Sequence, residues 1–211
     1  MQSEEIMKIN TKSLILLTSV LIASAFIVAA QEPPTPEQQA EMMQKAMELA
    51  QPGPEHKKLA ELVGSWDYSF KMWMSPTETN PLMADGKGEA RMVIGGRFLE
   101  LSYTGMFMGM PFEGLSMIGF DRRNNEYTSV GFDNFGTYWV SAKGPADKET
   151  GVITMSGEDY DGMMKITQKY KFEMNVKSKD SFSFSVIFTD PVTSQGTGNF
   201  KTVEVEYTRA K

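Results

Sequence analysis

Histidine and cysteine, which serve most often in nucleophilic and metal chemistry, are almost missing from this chain. It has one histidine, His56, and no cysteine, so thiolate catalysis, disulfides and thiolate metal sites are excluded. A single imidazole could ligate haem or a metal ion, but one histidine on a short helix is more often an ordinary polar residue. We therefore predict no metal site and no cofactor.

Methionine, in contrast, is abundant, with 17 residues. Thioethers bind Cu(I) in exported proteins, and the alternation of Met106, Met108 and Met110 could bring three of them together. We favour a packing role, because methionine fills irregular cores and lines adaptable apolar pockets. The cluster comprises Met72, Met74, Met106, Met108, Met110, Met117, Met163 and Met164.

Acidic side chains offer the remaining chemistry. The sequence EDYD at 158–161, followed by Gly162, matches only the start of a calcium loop, and a hairpin turn explains it better. Asp133 and Asn134 lie at the end of an apolar alternating run, where they would give a ligand its polar contact. An enzymatic alternative uses Asp133 or Glu100 as a general base, with a tyrosine as the acid.

The N-terminal segment has the features of a targeting sequence. Residues 13–30, SLILLTSVLIASAFIVAA, carry no charge and follow Lys8 and Lys12. Small residues precede Gln31, as at a signal-peptidase site, so 1–30 is predicted to be a signal peptide of an exported bacterial protein, periplasmic or secreted. The alternative is an uncleaved membrane anchor, since 18 apolar residues approach the length of a span; a cleaved chain would have no stable anchor. Met7 is the better candidate for the start.

The next segment, 31–63, is predicted to be a linker followed by two helices. Residues 31–38 are polar and proline-rich. Thr35 followed by Pro36 marks a helix start, and 37–50 is rich in strong helix formers. A second, shorter helix is predicted at 55–63.

From residue 64 to 211 the period of the apolar residues changes to two, which predicts strands with one buried face. About ten such runs are joined by polar turns, with no helix between them, so parallel units are excluded. An antiparallel up-and-down meander of eight to ten strands avoids exposed edges by closing into a barrel, which has room for a small ligand. The predicted interior comprises Tyr68, Phe70, Met72, Tyr103, Phe112, Phe132, Phe184 and Tyr207.

The GSW at the start of the first strand, with an arginine near the C-terminus, resembles the calycin-type barrels of the lipocalins. In that family the tryptophan plugs one end of the barrel, and an arginine of the last strand stacks on it. The resemblance implies these roles for Trp66 and Arg209, with Gly64 allowing a close turn of the chain. All three residues are then structural.

A second resemblance covers nearly the whole of the chain after the leader. PGPEH at 52–56, GGRFL at 95–99 and MGMPFEG at 108–114 resemble the bacterial domain-of-unknown-function family numbered 1579, whose members look like lipocalin-like barrels. The family implies the fold and carries no activity.

The function predicted from these features is the binding of a small, largely apolar molecule inside the barrel. The net charge of −6 and the scattered basic residues give no footprint for nucleic acid. Two alternatives stay open: the enzyme described above, and a structural envelope protein whose barrel is filled by its own side chains.

Overall fold

The computed structural model describes residues 33–211, and the predicted signal peptide lies outside them. The chain divides into two compact units, one ending at Lys45 and the other running from Ala46 to Lys211. Within 33–211, no helix combines the length and the apolar character needed to cross a membrane.

Two helices precede the strands. Helix α1 (Pro36–Leu49) begins where the capping signal predicts. The backbone N–H of Gln38 donates to the Thr35 hydroxyl, and the backbone N–H of Thr35 donates to the side-chain oxygen of Gln38. No residue of α1 is buried. Helix α2 (Pro54–Ala60) has proline at its first position and buries Leu59 in the core.

Ten strands follow, and they confirm the predicted antiparallel barrel. Each strand pairs with its neighbour in sequence, and the first pairs with the last, so the sheet closes on itself. Closure removes both exposed edges. The strands are β1 (Gly64–Met72), β2 (Leu82–Val93), β3 (Phe98–Phe107), β4 (Met110–Asp121), β5 (Glu126–Asp133), β6 (Val140–Gly144), β7 (Ile153–Asp161), β8 (Ile166–Ser178), β9 (Ser181–Phe188) and β10 (Phe200–Arg209).

The core lies inside the barrel because alternate side chains of every strand face inward. In β1 the buried residues are Trp66 and Tyr68, whereas Asp67 between them is exposed. The interior cluster also draws on β3, β7, β8, β9 and β10, with Leu99, Leu101, Met155, Phe172, Met174, Phe182 and Tyr207 among its members.

Glycines inside the strands make room for tyrosine rings. Tyr103 of β3 pairs in register with Gly114 of β4, where a Cβ would come within 2.3 Å of the ring. The Tyr103 hydroxyl passes over this glycine and donates to the Phe132 carbonyl of β5, at 3.4 Å. We call this arrangement a tyrosine–glycine bridge.

Two more bridges have the same geometry. Tyr68 lies over Gly86, its partner on β2, and donates to the Thr104 carbonyl of β3 at 3.2 Å. Tyr170 lies over Gly157 of β7 and donates to the Ser141 carbonyl of β6 at 3.1 Å. Each bridge ties a strand to its second neighbour, so these tyrosines fill the barrel and also fasten its wall.

Candidate functional site

The two ends of the barrel differ. The end where β1 begins and β10 finishes is covered by α2 and by the residues that follow it, with Leu59 and Leu62 buried against the strands. We call it the closed end. The opposite end, where β1, β3, β5, β7 and β9 finish, we call the open end.

Trp66 and Arg209 come together at the closed end. They are paired in register, and the guanidinium carbon of Arg209 lies 4.4 Å from the centre of the Trp66 ring, a cation–π contact. Trp66 donates its indole N–H to the Leu62 carbonyl at 2.9 Å. Arg209 donates to the Val63 and Glu61 carbonyls, both at 2.9 Å.

Gly64 has a structural reason to be glycine at this point. Its φ is +131°, and a Cβ there would lie 2.7 Å from a guanidinium nitrogen of Arg209. A side chain would therefore be strained by the backbone and would push the arginine off the tryptophan. Above this layer, Phe182 stacks on Tyr207 with ring centres 4.3 Å apart and meets Trp66 edge-on at 4.7 Å. The side chains at the closed end are thus closely packed against one another.

Four tyrosines form the layer between the two ends. Burial raises the pKa of Tyr103 to about 12 and raises the pKa of Tyr68, Tyr170 and Tyr207 as well. All four hydroxyls therefore keep their protons at neutral pH, and those of Tyr68, Tyr103 and Tyr170 donate the hydrogen bonds of the three bridges. A phenol with a raised pKa is a weaker acid. Such a hydroxyl is better suited to holding neighbouring groups by hydrogen bonds than to acid catalysis.

Four phenylalanine rings form a cluster at the open end. Phe70 contacts Phe107 at 5.2 Å and Phe112 at 6.4 Å, and Phe135 contacts Phe107 at 5.9 Å and Phe112 at 5.4 Å between ring centres. Tyr103 joins Phe112 from below at 5.6 Å. Phe70, Phe107 and Phe112 are half-buried, and Phe135 is exposed. We call these four rings the open-end aromatic cluster; its apolar surface is accessible to solvent.

Other predicted interior residues lie where the period of two places them. Phe184 is half-buried and contacts Phe172 at 5.2 Å between ring centres. Met72 finishes β1 on its inward-facing side and is half-buried. Tyr207 is buried between Phe182 and Tyr68.

Phe132 was predicted to line the interior, and the structure corrects this placement. On β5 the buried positions are Tyr127 and Ser129, so alternation sends Phe132 outward, beside Leu115 of β4, where it is 42% exposed. After Tyr127, the inward positions of this strand hold small or polar residues, and the larger apolar side chains lie on its outer face.

Asp133 and Asn134 have different surroundings. Asn134 is used by the backbone of β4: its amide oxygen accepts from the Glu113 N–H at 3.1 Å, and its amide nitrogen donates to the Pro111 carbonyl at 2.9 Å. Asp133 finishes β5 on the inward side and accepts one hydrogen bond, from the Phe135 N–H at 2.9 Å. The Asp133 carboxylate beside the aromatic cluster can therefore accept further hydrogen bonds, for example from a ligand.

The remaining chemical candidates have structural partners. Glu100 lies on the outer face, paired with Arg91 at 2.7 Å, so it does not share the barrel interior with the tyrosines. His56 accepts the Gly53 N–H on Nδ1 at 3.0 Å and meets Phe120 edge-on. Among residues 33–211, no three His, Asp or Glu side chains gather in a way that would hold a metal ion.

The three alternating methionines do not converge. Phe107 pairs with Met110 across the β3–β4 hairpin, so Met110 shares the inward side of that pair, whereas Met106 pairs with Pro111 on the other side. The turn Met108–Gly109 has positive φ at both residues, 53° and 78°, as a tight hairpin turn requires. Sequence alternation cannot be continued through such a turn.

Two shallow depressions lie on the outside of the barrel. The larger, of about 630 Å³, runs over β1, β2 and β10 and is lined mainly by polar side chains, among them Asp67, Asp85, Lys87 and Glu206. The smaller, of about 300 Å³, lies over β1, β2 and β3. Neither opens into the aromatic cluster.

Comparisons with solved structures found several barrels to which this chain is similar, and of these Rv2717c agrees with the fold. Rv2717c from M. tuberculosis is 15% identical, with a TM-score of 0.51; the match covers 76% of this chain and all of that one. A de novo designed fluorescence-activating beta barrel is 16% identical with a TM-score of 0.40, over 72% of this chain and 96% of the design. No curated protein matches the chain.

A family model, described as "Protein of unknown function (DUF1579)", matches residues 51–209. This range contains α2 and all ten strands, and it confirms the resemblance carried by the three motifs of the sequence. The chain therefore belongs to the DUF1579 family.

Proposed function

We propose that the protein is an exported binding protein that takes a small, largely apolar molecule into the open end of its barrel. The observation that carries this proposal is the open-end aromatic cluster, four rings with solvent-accessible faces at the end that no helix of residues 46–211 covers. Aromatic and apolar side chains predominate in the sites where proteins bind small molecules.

The chemistry of the site favours a flat or aromatic ligand. Its apolar faces come from Phe70, Phe107, Phe112 and Phe135, which can receive a ring edge-on or in offset stacking. Polar contacts are few: Asp133 has acceptor capacity, and the Tyr103 hydroxyl lies just below with its proton retained. One donor or cationic group on an otherwise apolar molecule would satisfy this arrangement.

The proposal is tested by releasing whatever the protein carries from its native host. Native mass spectrometry of the purified chain, followed by denaturation, is expected to show a bound mass of small-molecule size. The same preparation gives the N-terminus, which export and cleavage would place at Gln31. An unprocessed N-terminus would contradict cleavage of the predicted signal peptide.

Paired substitutions on neighbouring residues test the location of the site. Phe184→Arg places a charge inside the barrel and is expected to abolish binding of the uncharged dye Nile red, because an unpaired buried charge is costly. Ser183→Arg is the matched control, since Ser183 alternates with the inward residues and pairs with Glu206 of β10; it should bind normally. Phe112→Ala, at a half-buried position, gives a milder test. Unchanged affinity in both folded test variants, Phe184→Arg and Phe112→Ala, would contradict an interior site.

A second candidate is a structural envelope protein with a filled barrel. It is favoured by the positions of the two depressions, both on the outer wall, and by the tyrosine bridges that occupy the middle of the interior. The absence of both a released ligand and dye binding would support this candidate over the first.

A further inference from the structure

We propose that the methionines at the open end form a site of reversible oxidation, which reduces the affinity of the barrel for its apolar ligand. The inference rests on the binding function proposed above for its effect on affinity, but the site of modification is independent of it. The residues concerned, called here the methionine rim, are Met74, Met83, Met106, Met108, Met110, Met163 and Met164.

Exposed and buried methionines of the barrel strands and turns are separated in space. The methionine rim holds every exposed methionine of residues 64–211, from 46% exposed at Met164 to 90% at Met163. All seven lie on the β1–β2 connection, on the first residues of β2, around the β3–β4 hairpin or in the β7–β8 turn, and each of these is at the open end. Met155 and Met174, by contrast, are at most 1% exposed.

Exposure decides which thioethers react. A peroxide transfers one oxygen atom to the sulfur lone pair, the O–O bond breaks, and the other oxygen leaves as water; the sulfur is oxidised by two electrons to the sulfoxide. A methionine sulfoxide reductase with a thiol reductant returns the thioether, releasing water and a disulfide. The chain has no cysteine, so no thiol of the protein competes for the peroxide. Methionine is then the side chain that peroxide oxidises most readily.

The position of the rim connects this chemistry to the aromatic cluster. Met110 is paired with Phe107 and lies two residues before Phe112 on the same side of β4. Met106 and Met108 flank the same hairpin. A sulfoxide is polar and accepts hydrogen bonds, so oxidation would place hydrated groups beside the apolar faces that receive the ligand. Apolar binding should weaken accordingly.

The modification is tested first, by treating the purified chain with hydrogen peroxide and following each methionine by peptide mass spectrometry. We expect the rim methionines to gain one oxygen at least about tenfold faster than Met155 and Met174, since access limits the reaction. Equal rates at rim and buried positions in the folded protein would overturn the site.

The effect on binding is tested with Nile red before oxidation, after oxidation and after reduction by a methionine sulfoxide reductase. We expect about a tenfold loss of affinity on oxidation, recovered on reduction. The variant Met106→Leu/Met108→Leu/Met110→Leu should keep its affinity under peroxide. Met42→Leu/Met43→Leu, which removes exposed methionines of α1, should stay sensitive.

The outcomes separate the two proposals. If the untreated protein fails to bind Nile red, the binding function is contradicted, while the oxidation rates still decide the modification site. If the untreated protein binds and full rim oxidation leaves its affinity unchanged, the control of affinity is overturned and the binding function stands.

Discussion

The two ends of the barrel use the same kinds of side chain for different purposes. At the closed end the aromatic rings are fully enclosed: Trp66 is 0% exposed and lies between Phe182 and the guanidinium of Arg209. At the open end four phenylalanines contact one another at longer distances between ring centres, 5.2–6.4 Å, and keep solvent-accessible faces. Aromatic contacts of both ends therefore differ in stabilisation, because the burial of the rings differs.

The hydrogen bonds beside the aromatic rings also differ between the two ends. Arg209 fastens the closed end through the Val63 and Glu61 carbonyls and an ion pair with Asp180 at 3.1 Å. The loop of the open end that carries Phe135 is held by the side chains of Asp133 and Asn134. We infer that the rings of the closed end contribute more to stability than those of the open-end aromatic cluster, whose faces stay accessible to a ligand.

The largest expected effect on stability comes from removing one aromatic ring at each end and comparing the losses. Trp66→Ala should reduce the free energy of unfolding by about 3–5 kcal/mol, the range for a buried large aromatic side chain. Phe135→Ala, which removes a ring that is 48% exposed, should cost less than about 1.5 kcal/mol. Urea denaturation measures both. Equal losses would contradict the division between the ends.

How well the sequence predicts which side chains face the barrel interior differs from strand to strand. The alternation of β1 identifies the inward side of Trp66, Tyr68 and Phe70 correctly, because that side is continuously apolar. The same reasoning is wrong for β5, where Ser129 and Gly131 face inward. Which side of β5 faces the core depends on its pairing with β4 and β6, and alternation within β5 alone does not reveal that pairing.

Glycine-rich stretches limit prediction for the same reason. The first half of β2, at 82–88, lacks a clear apolar alternation because Gly86 and Gly88 interrupt it. Gly86 is needed where the Tyr68 ring crosses, since a Cβ would lie 2.3 Å from that ring. A tyrosine on one predicted strand and a glycine on the next are the sequence signal for such a bridge. The signal becomes specific only when the register between the two strands is known.

The next effect in size concerns the bridge that separates the packed layer from the aromatic cluster. Gly114→Ala would place a Cβ 2.3 Å from the Tyr103 ring and should cost about 1–3 kcal/mol of stability, as overpacking does. Gly131→Ala on the next strand is the matched control, because its nearest atom lies at an ordinary 3.6 Å. Combining Gly114→Ala with Tyr103→Ala should cost less than the sum of the single losses. Additive losses would show that the ring and the glycine are independent.

A smaller effect is expected from the charge that covers the closed end. Arg209→Lys keeps the charge but cannot reproduce the fork of donors or the stacking on Trp66. We expect a loss of about 1–2 kcal/mol, since a side-chain hydrogen bond contributes about 1 kcal/mol. Arg123→Lys, at an exposed arginine of the β4–β5 turn, should change little. A loss confined to Arg123→Lys would contradict the role of Arg209.

The smallest effect is a dependence on pH that arises from a histidine at the closed end. His56 is buried beside Phe120 with Nδ1 accepting the Gly53 N–H, so protonation would replace the acceptor with a donor. Burial lowers the pKa of His56; Glu55 opposes this, while Arg122 and Arg97 add to it. The unfolded chain therefore takes up the proton at a higher pH than the folded one, and stability falls as the pH drops below about 6.5.

His56→Gln isolates this contribution, because a glutamine amide oxygen can accept the Gly53 N–H without titrating. The difference in urea midpoint between wild type and His56→Gln is expected to be constant above about pH 7.5 and to shift in favour of the variant as the pH falls to about 5.5. Nile red binding should not follow this change while the protein stays folded, since His56 lies at the opposite end from the aromatic cluster. A difference that is independent of pH would show that the buried imidazole contributes only its shape and its hydrogen bond to the closed end.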